Sequence, residues 1–130
     1  MFVDASALLA VLLKEPDSQR FSRAMENAER LFISPIAVFE IVAAVMRERV
    51  CSRREAQRAV ERALGIANIE IVPITRETGD LALEAFERYG RGCGHRAQLN
   101  MGDCFAYACA KVLGVGLLYK GDDFAATDMA

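Results

Sequence analysis

The chain has 130 residues, 18 of them acidic and 16 basic, so its net charge of −2 creates no overall field for nucleic acid, and any such binding must come from local patches or a metal. With 53% hydrophobic and 26% charged residues, the composition excludes a disordered chain and implies extensive burial, with a homo-oligomer or bound partner as one place to bury it. The length suits one domain over residues 1–130, and no apolar run approaches the roughly 18 residues of a membrane span, so a soluble, cytoplasmic protein is expected.

Residues 1–4 read as a short strand, followed by a helix from Ser6 to Lys14 and, beyond Pro16, a second helix from Asp17 to Glu29. RLFIS reads as a strand. PIAVFEIVAAVMRERV is then a buried helix with Pro35 at its first position, and SRREAQRAVERALGIA is a helix capped by Ser52. IEIVPI has strand composition, and Thr75 caps a helix over RETGDLALEAFERYG, which ends at the glycine-rich loop Gly90-Arg91-Gly92-Cys93-Gly94. A last helix runs from Gly102 to Leu113, VGLLY is a strand, and GDDFAATDMA forms a turn and short tail. Strands alternating with helices predict a three-layer α/β/α domain around a mainly parallel sheet, with ligands expected beyond the carboxyl ends of the strands.

Four acidic positions stand out against this frame. Glu40 is the only charged residue between Arg30 and Arg47, mid-helix, with no basic residue three or four places away. A carboxylate in apolar surroundings costs several kcal/mol unless it is paired, hydrogen-bonded or bound to metal. Asp4 ends the first strand, Asp103 is the only acid between Glu87 and Asp122, and Asp122 with Asp123 follows the last strand. Asp4 and Asp103 suit helix caps equally well, and Asp122 and Asp123 suit a turn. Together the acids suggest one site. Clustered carboxylates repel unless a divalent cation neutralises them, and an all-oxygen set favours Mg²⁺ or Mn²⁺ over zinc.

Arg88, Arg91, His95 and Arg96 precede Asp103 and can hold phosphates near such a metal, although a short basic cluster also occurs as a solvated loop. The Ser6 hydroxyl can bond Asp4 or a water at the metal, or simply start a helix. The arginines at 47, 49, 53, 54, 58 and 62 alternate with glutamates and mark a solvated helix face. Cys51, Cys93, Cys104 and Cys109 form no CxxC pair and read as reduced structural thiols.

In the order DASALLAVL, PIAVFEIVAAV, RYGRGCGHRAQLNMGDCFAYACAK and LLYKGDDFAATD, the chain resembles the PIN-domain nucleases, and more narrowly the VapC-type ribonuclease toxins of bacterial toxin–antitoxin pairs. That resemblance implies that Asp4, Glu40 and Asp103 hold a divalent metal, that Asp122 or Asp123 is a fourth acid, and that Asn100 helps to position the site. It implies Mg²⁺-dependent endoribonuclease activity (Mn²⁺ as an alternative) with water as nucleophile, leaving 5′-phosphate and 3′-hydroxyl ends. It also implies a VapB-like antitoxin whose segment enters the acidic groove, and a toxin homodimer formed through helical apolar surfaces. Two departures stand out: the loop reads GRGCGHR where relatives have a shorter GKGRHR-like stretch, and the chain stops soon after TDM, so that the last strand is expected to be short or missing. Two rivals stand beside this reading. One is a catalytically silent RNA- or antitoxin-binding domain. The other is a receiver-like phosphoacceptor module using Lys120.

Overall fold

The structure, a computed structural model, describes residues 1–130. In chain order the elements are β1 (Phe2–Val3), α1 (Ala5–Leu12), α2 (Ser18–Asn27), β2 (Leu31–Ile33), α3 (Pro35–Arg49), α4 (Arg53–Ile66), β3 (Ile69–Ile71), α5 (Arg76–Tyr89), α6 (Met101–Leu113) and β4 (Leu117–Leu118). The four strands form one parallel sheet in the order β3-β2-β1-β4, with Phe2 opposite both Phe32 and Leu117, and Leu31 opposite Ile69. The strands are shorter than their apolar runs suggest. VGLLY contributes only Leu117–Leu118 to the ladder, yet these two residues pair with β1 and close that edge.

Alternation along the strands sorts the core into two layers. Val3, Leu31, Ile33 and Ile69 join a cluster with residues of α1, α2, α3 and α4, whereas Phe2 and Phe32 join α5, α6 and the tail on the opposite face. Phe2, Phe21 and Phe124 are almost wholly buried, so truncating any of them to alanine is expected to cost about 3–5 kcal/mol. Helix starts follow their sequence signals. Ser34 accepts from the Ala37 amide ahead of Pro35, Ser52 accepts from Glu55, and Thr75 forms a capping box with Thr78.

Two expectations need correction. Helix α3 is not buried all round: Ala37, Ile41 and Val45 form its one buried stripe, Glu40 is half-buried, and Phe39 is 74% exposed. The helix has apolar residues on more faces than the sheet can cover, and the spare faces stay open. The tail is also more than a turn. Phe124 enters the core, and one oxygen of Asp128 accepts from the Tyr107 hydroxyl at 2.7 Å and the Tyr89 hydroxyl at 3.4 Å while its other oxygen meets Lys111 Nζ at 2.9 Å. Among the cysteines Cys104 and Cys109 are buried, but Cys93 is exposed on the loop; all four are free. No helix is long and apolar enough to cross a membrane.

Candidate active site

Asp4 leaves the carboxyl end of β1, an internal strand, and its amide donates to Leu118 of β4 at 2.9 Å. Its Oδ2 caps α1 by accepting from the Ser6 amide at 3.0 Å, and it accepts from the Ser6 hydroxyl at 2.5 Å. Asp103 lies in the first turn of α6 within a reciprocal cap. Its Oδ2 accepts from the Asn100 amide at 3.0 Å, while its own amide donates to Asn100 Oδ1 at 2.8 Å. Both acids are buried, at 6% and 8% exposure. Capping and site roles were alternatives in the sequence, but in the fold a cap does not exclude a site role, because each cap occupies one carboxylate oxygen and leaves the other.

Glu40 reaches the same region from α3. A Cβ placed on Gly102 would fall within 2.7 Å of Glu40 Oε1, so the carboxylate packs directly on the glycine backbone that precedes Asp103. Gly102 adjoins the acidic cluster and was overlooked by sequence reasoning. Its signal is the glycine in the first turn of a helix, where that residue is costly without a packing reason.

The electrostatics tie four acids together. Burial pushes Glu40 up to about 7, with the Asp4 and Asp103 charges adding to the rise. Burial likewise raises Asp103 to about 6. The Asn100 amide opposes that rise, the charges of Asp4 and Asp123 reinforce it, and Arg91 offsets part of it. Asp4 is raised by burial against the pull of its Ser6 bonds, with Asp123 again contributing. Both tail acids are exposed, and Asp123 is the one whose charge bears on Asp4 and Asp103, while the Asp122 carbonyl accepts from Ala125 in the tail turn.

None of these acids has an ion-pair partner, for the ion pairs of the chain are Arg30–Glu70, Lys111–Asp128, and Lys120 with Glu15 and Asp17. Negative charge that no protein cation pairs, offered by oxygen donors alone, fits a hard divalent ion. No three of the side chains close around a common point, so the cluster is an open set of donors and not a finished ligand shell.

The basic stretch divides. Arg91 faces Asp103 electrostatically, and its backbone is fixed by the bridge between Gly90 and Leu99. His95 sets its ring edge against Tyr89, 4.9 Å between centroids, and its Nδ1 accepts from the Ala97 amide at 3.0 Å, so the imidazole braces the loop. Arg96 is exposed and unpaired, while Arg88 stacks over Tyr89. Lys120, which a receiver-like module would turn toward its phosphoacceptor, instead gives its ammonium to Glu15 and Asp17.

The family model of the PIN domain matches residues 1–129. The chain is similar to a VapC ribonuclease of Rhizobium meliloti, 40% identical over 139 residues covering 98% of this chain and 98% of the relative. Among solved structures it superposes on VapC20 of Mycobacterium tuberculosis, a toxin described as cleaving the sarcin-ricin loop, with a TM-score of 0.73, 17% identity, and coverage of 99% of this chain and 95% of the other. A toxin–antitoxin complex from Klebsiella pneumoniae matches with a TM-score of 0.73 and 17% identity over 98% of this chain and 92% of that one.

Proposed function

The chain belongs to the PIN-domain family, and from that premise we propose that it is a metal-dependent endoribonuclease, the toxin of a VapBC-type toxin–antitoxin pair. The observation that carries this reading is the gathering of Asp4, Glu40 and Asp103, each with a raised carboxyl pKa, and of Asp123, whose charge bears on two of them, with no ion-pair partner for any of the four. A bound divalent cation, Mg²⁺ or Mn²⁺, supplies attraction for the phosphodiester, activation of water and stabilisation of developing charge.

The protein residues define the rest. Asp4 and Asp103 offer the oxygens that their caps leave free, Glu40 completes the set from α3, and Asp123 rather than Asp122 serves as the fourth acid. Ser6 and Asn100 fix the rotamers of Asp4 and Asp103. Arg91 offers its guanidinium to a phosphate beside the acids, exposed Arg96 can add a second contact, and His95 acts on substrate only through the shape of its loop. With water as nucleophile the products carry 5′-phosphate and 3′-hydroxyl ends, and no 2′-hydroxyl takes part.

The relatives also bear on partners. A groove of about 930 Å³ lies between α1, α2, α4 and β3, lined by Leu8, Val11, Met25 and Ile69 and by Glu26, Glu29 and the ion-paired Arg30 and Glu70. It suits an amphipathic antitoxin segment with basic flanks. This groove contains none of the four acids, so in this reading the bulk of the antitoxin lies beside the site and only an extension enters it. A second apolar surface on α5 and α6, with Leu83 68%, Phe86 45% and Met101 69% exposed, suits a homodimer.

Cleavage of end-labelled RNA with Mg²⁺, Mn²⁺ or EDTA tests the activity. Metal-dependent cuts with 5′-phosphate ends, lost in Asp4→Asn and Asp103→Asn, are expected; no cutting of structured or single-stranded RNA in either metal would favour the silent binding domain.

A further inference from the structure

Asp123 is exposed and no hydrogen bond fixes its side chain, yet its charge bears on both Asp4 and Asp103. Its placement must come from the residues around it. On one side Phe124 is buried, its ring 5.0 Å from that of Tyr119. On the other side the chain turns at Gly121, whose φ of +92° is natural only for glycine, directly after Lys120.

Lys120 is tied at both ends. Its amide donates to Ser6 Oγ at 2.9 Å, and the Ser6 hydroxyl in turn donates to Asp4 Oδ2. Its ammonium bonds Glu15 and lies 2.9 Å from Asp17 Oδ1, on the turn between α1 and α2. A lone exposed ion pair contributes little. Here one ammonium meets two carboxylates across 105 and 103 residues of sequence, and each of the three side chains is about two-thirds covered.

We infer that Lys120 is a positioning residue: clasped by Glu15 and Asp17, it holds the loop 119–123 so that Asp123 stands beside Asp4 and Asp103. The inference rests on the metal-site reading above and assigns to Lys120 a role distinct from phosphate binding. Removing a residue that orients a metal ligand typically lowers metal affinity by about 10- to 100-fold, and the lower end suits an anchor that Phe124 shares.

The test compares wild type, Lys120→Met, Lys120→Arg and the double variant Glu15→Gln/Asp17→Asn, each with Asp123 intact or changed to asparagine. Hydrogen exchange of the segment 119–124 is followed without metal, and Mn²⁺ binding by electron paramagnetic resonance. Faster exchange in Lys120→Met, and Mn²⁺ binding about tenfold weaker, are expected. Lys120→Arg should keep both at the wild-type level, Glu15→Gln/Asp17→Asn should reproduce the loss, and Asp123→Asn should abolish the effect of Lys120→Met on binding. Unchanged exchange in Lys120→Met, or an undiminished effect of Lys120→Met on Mn²⁺ binding in the Asp123→Asn background, would overturn the inference. Should wild type bind no Mn²⁺, the metal-site reading falls and with it the positioning of a metal ligand by Lys120, while exchange still decides the anchoring.

Discussion

Glu40→Gln is expected to stabilise the metal-free protein at pH 7.5 while removing a site acid. Burial and the charges of Asp4 and Asp103 raise the Glu40 carboxyl from 4.5 to about 7. A raised carboxyl favours the fold fully below its unfolded value, and that contribution is lost as pH rises through the folded value. At about 1.4 kcal/mol per pH unit, the bound is roughly 3 kcal/mol. Glu40 is only half-buried, so solvent screening reduces this to about 1–2 kcal/mol. Urea unfolding in EDTA reads it directly, for with m of about 1–3 kcal/mol/M the midpoint of Glu40→Gln should exceed that of wild type by roughly 0.5–1 M at pH 7.5. At pH 4 the two midpoints should nearly coincide. Saturating Mn²⁺ should raise wild type more than the variant, since the ion binds the folded site alone. A Glu40→Gln variant less stable than wild type at pH 7.5 in EDTA would refute the electrostatic reasoning.

Three further outcomes follow from the same geometry. Gly102→Ala should cut RNA cleavage at least tenfold yet leave the urea midpoint unchanged or higher, because the new methyl displaces the Glu40 carboxylate while alanine favours the helix by about 1 kcal/mol; wild-type activity in this variant would remove Glu40 from the site. Asp128 is held below the usual carboxylate range by Lys111 and Tyr107, so its contribution is present above its unfolded value of 3.8 and is lost as pH falls through the lower folded value. Asp128→Asn should therefore lower stability at pH 7 by about 1 kcal/mol and flatten the acid limb of the stability profile. The homodimer proposed on α5 and α6 predicts that wild type sediments as a dimer and Leu83→Glu combined with Phe86→Glu as a monomer; a variant that stays dimeric would place the interface elsewhere, and a monomeric wild type would remove the proposal.

Much of the fold could be read from residues with local mechanisms. Ser34, Ser52, Thr75 and Asn100 start helices through bonds to amides three positions on, and the alternation in Phe2-Val3 and Leu31-Phe32-Ile33 assigns each side chain to a face. Asp4, Glu40 and Asp103 stood out because each is an isolated acid in apolar sequence. What escaped depends on contacts distant in the chain. The Gly102 backbone matters only once α3 lies against α6. Lys120 matters only once Glu15 and Asp17 approach it, and Asp128 only once Tyr89, Tyr107 and Lys111 converge. Asp122 and Asp123 are equivalent in sequence, and only in the fold does the charge of Asp123 bear on Asp4 and Asp103.

Anomalous diffraction at the manganese edge, from crystals of the protein soaked in Mn²⁺, bears most directly on whether these acids form a metal site. A peak within coordination distance of Asp4 and Asp103, bordered by Glu40 and Asp123 and absent from Asp103→Asn crystals, is expected. Ordered acids with no peak among them, or a peak only at unrelated surface carboxylates, would contradict the assignment.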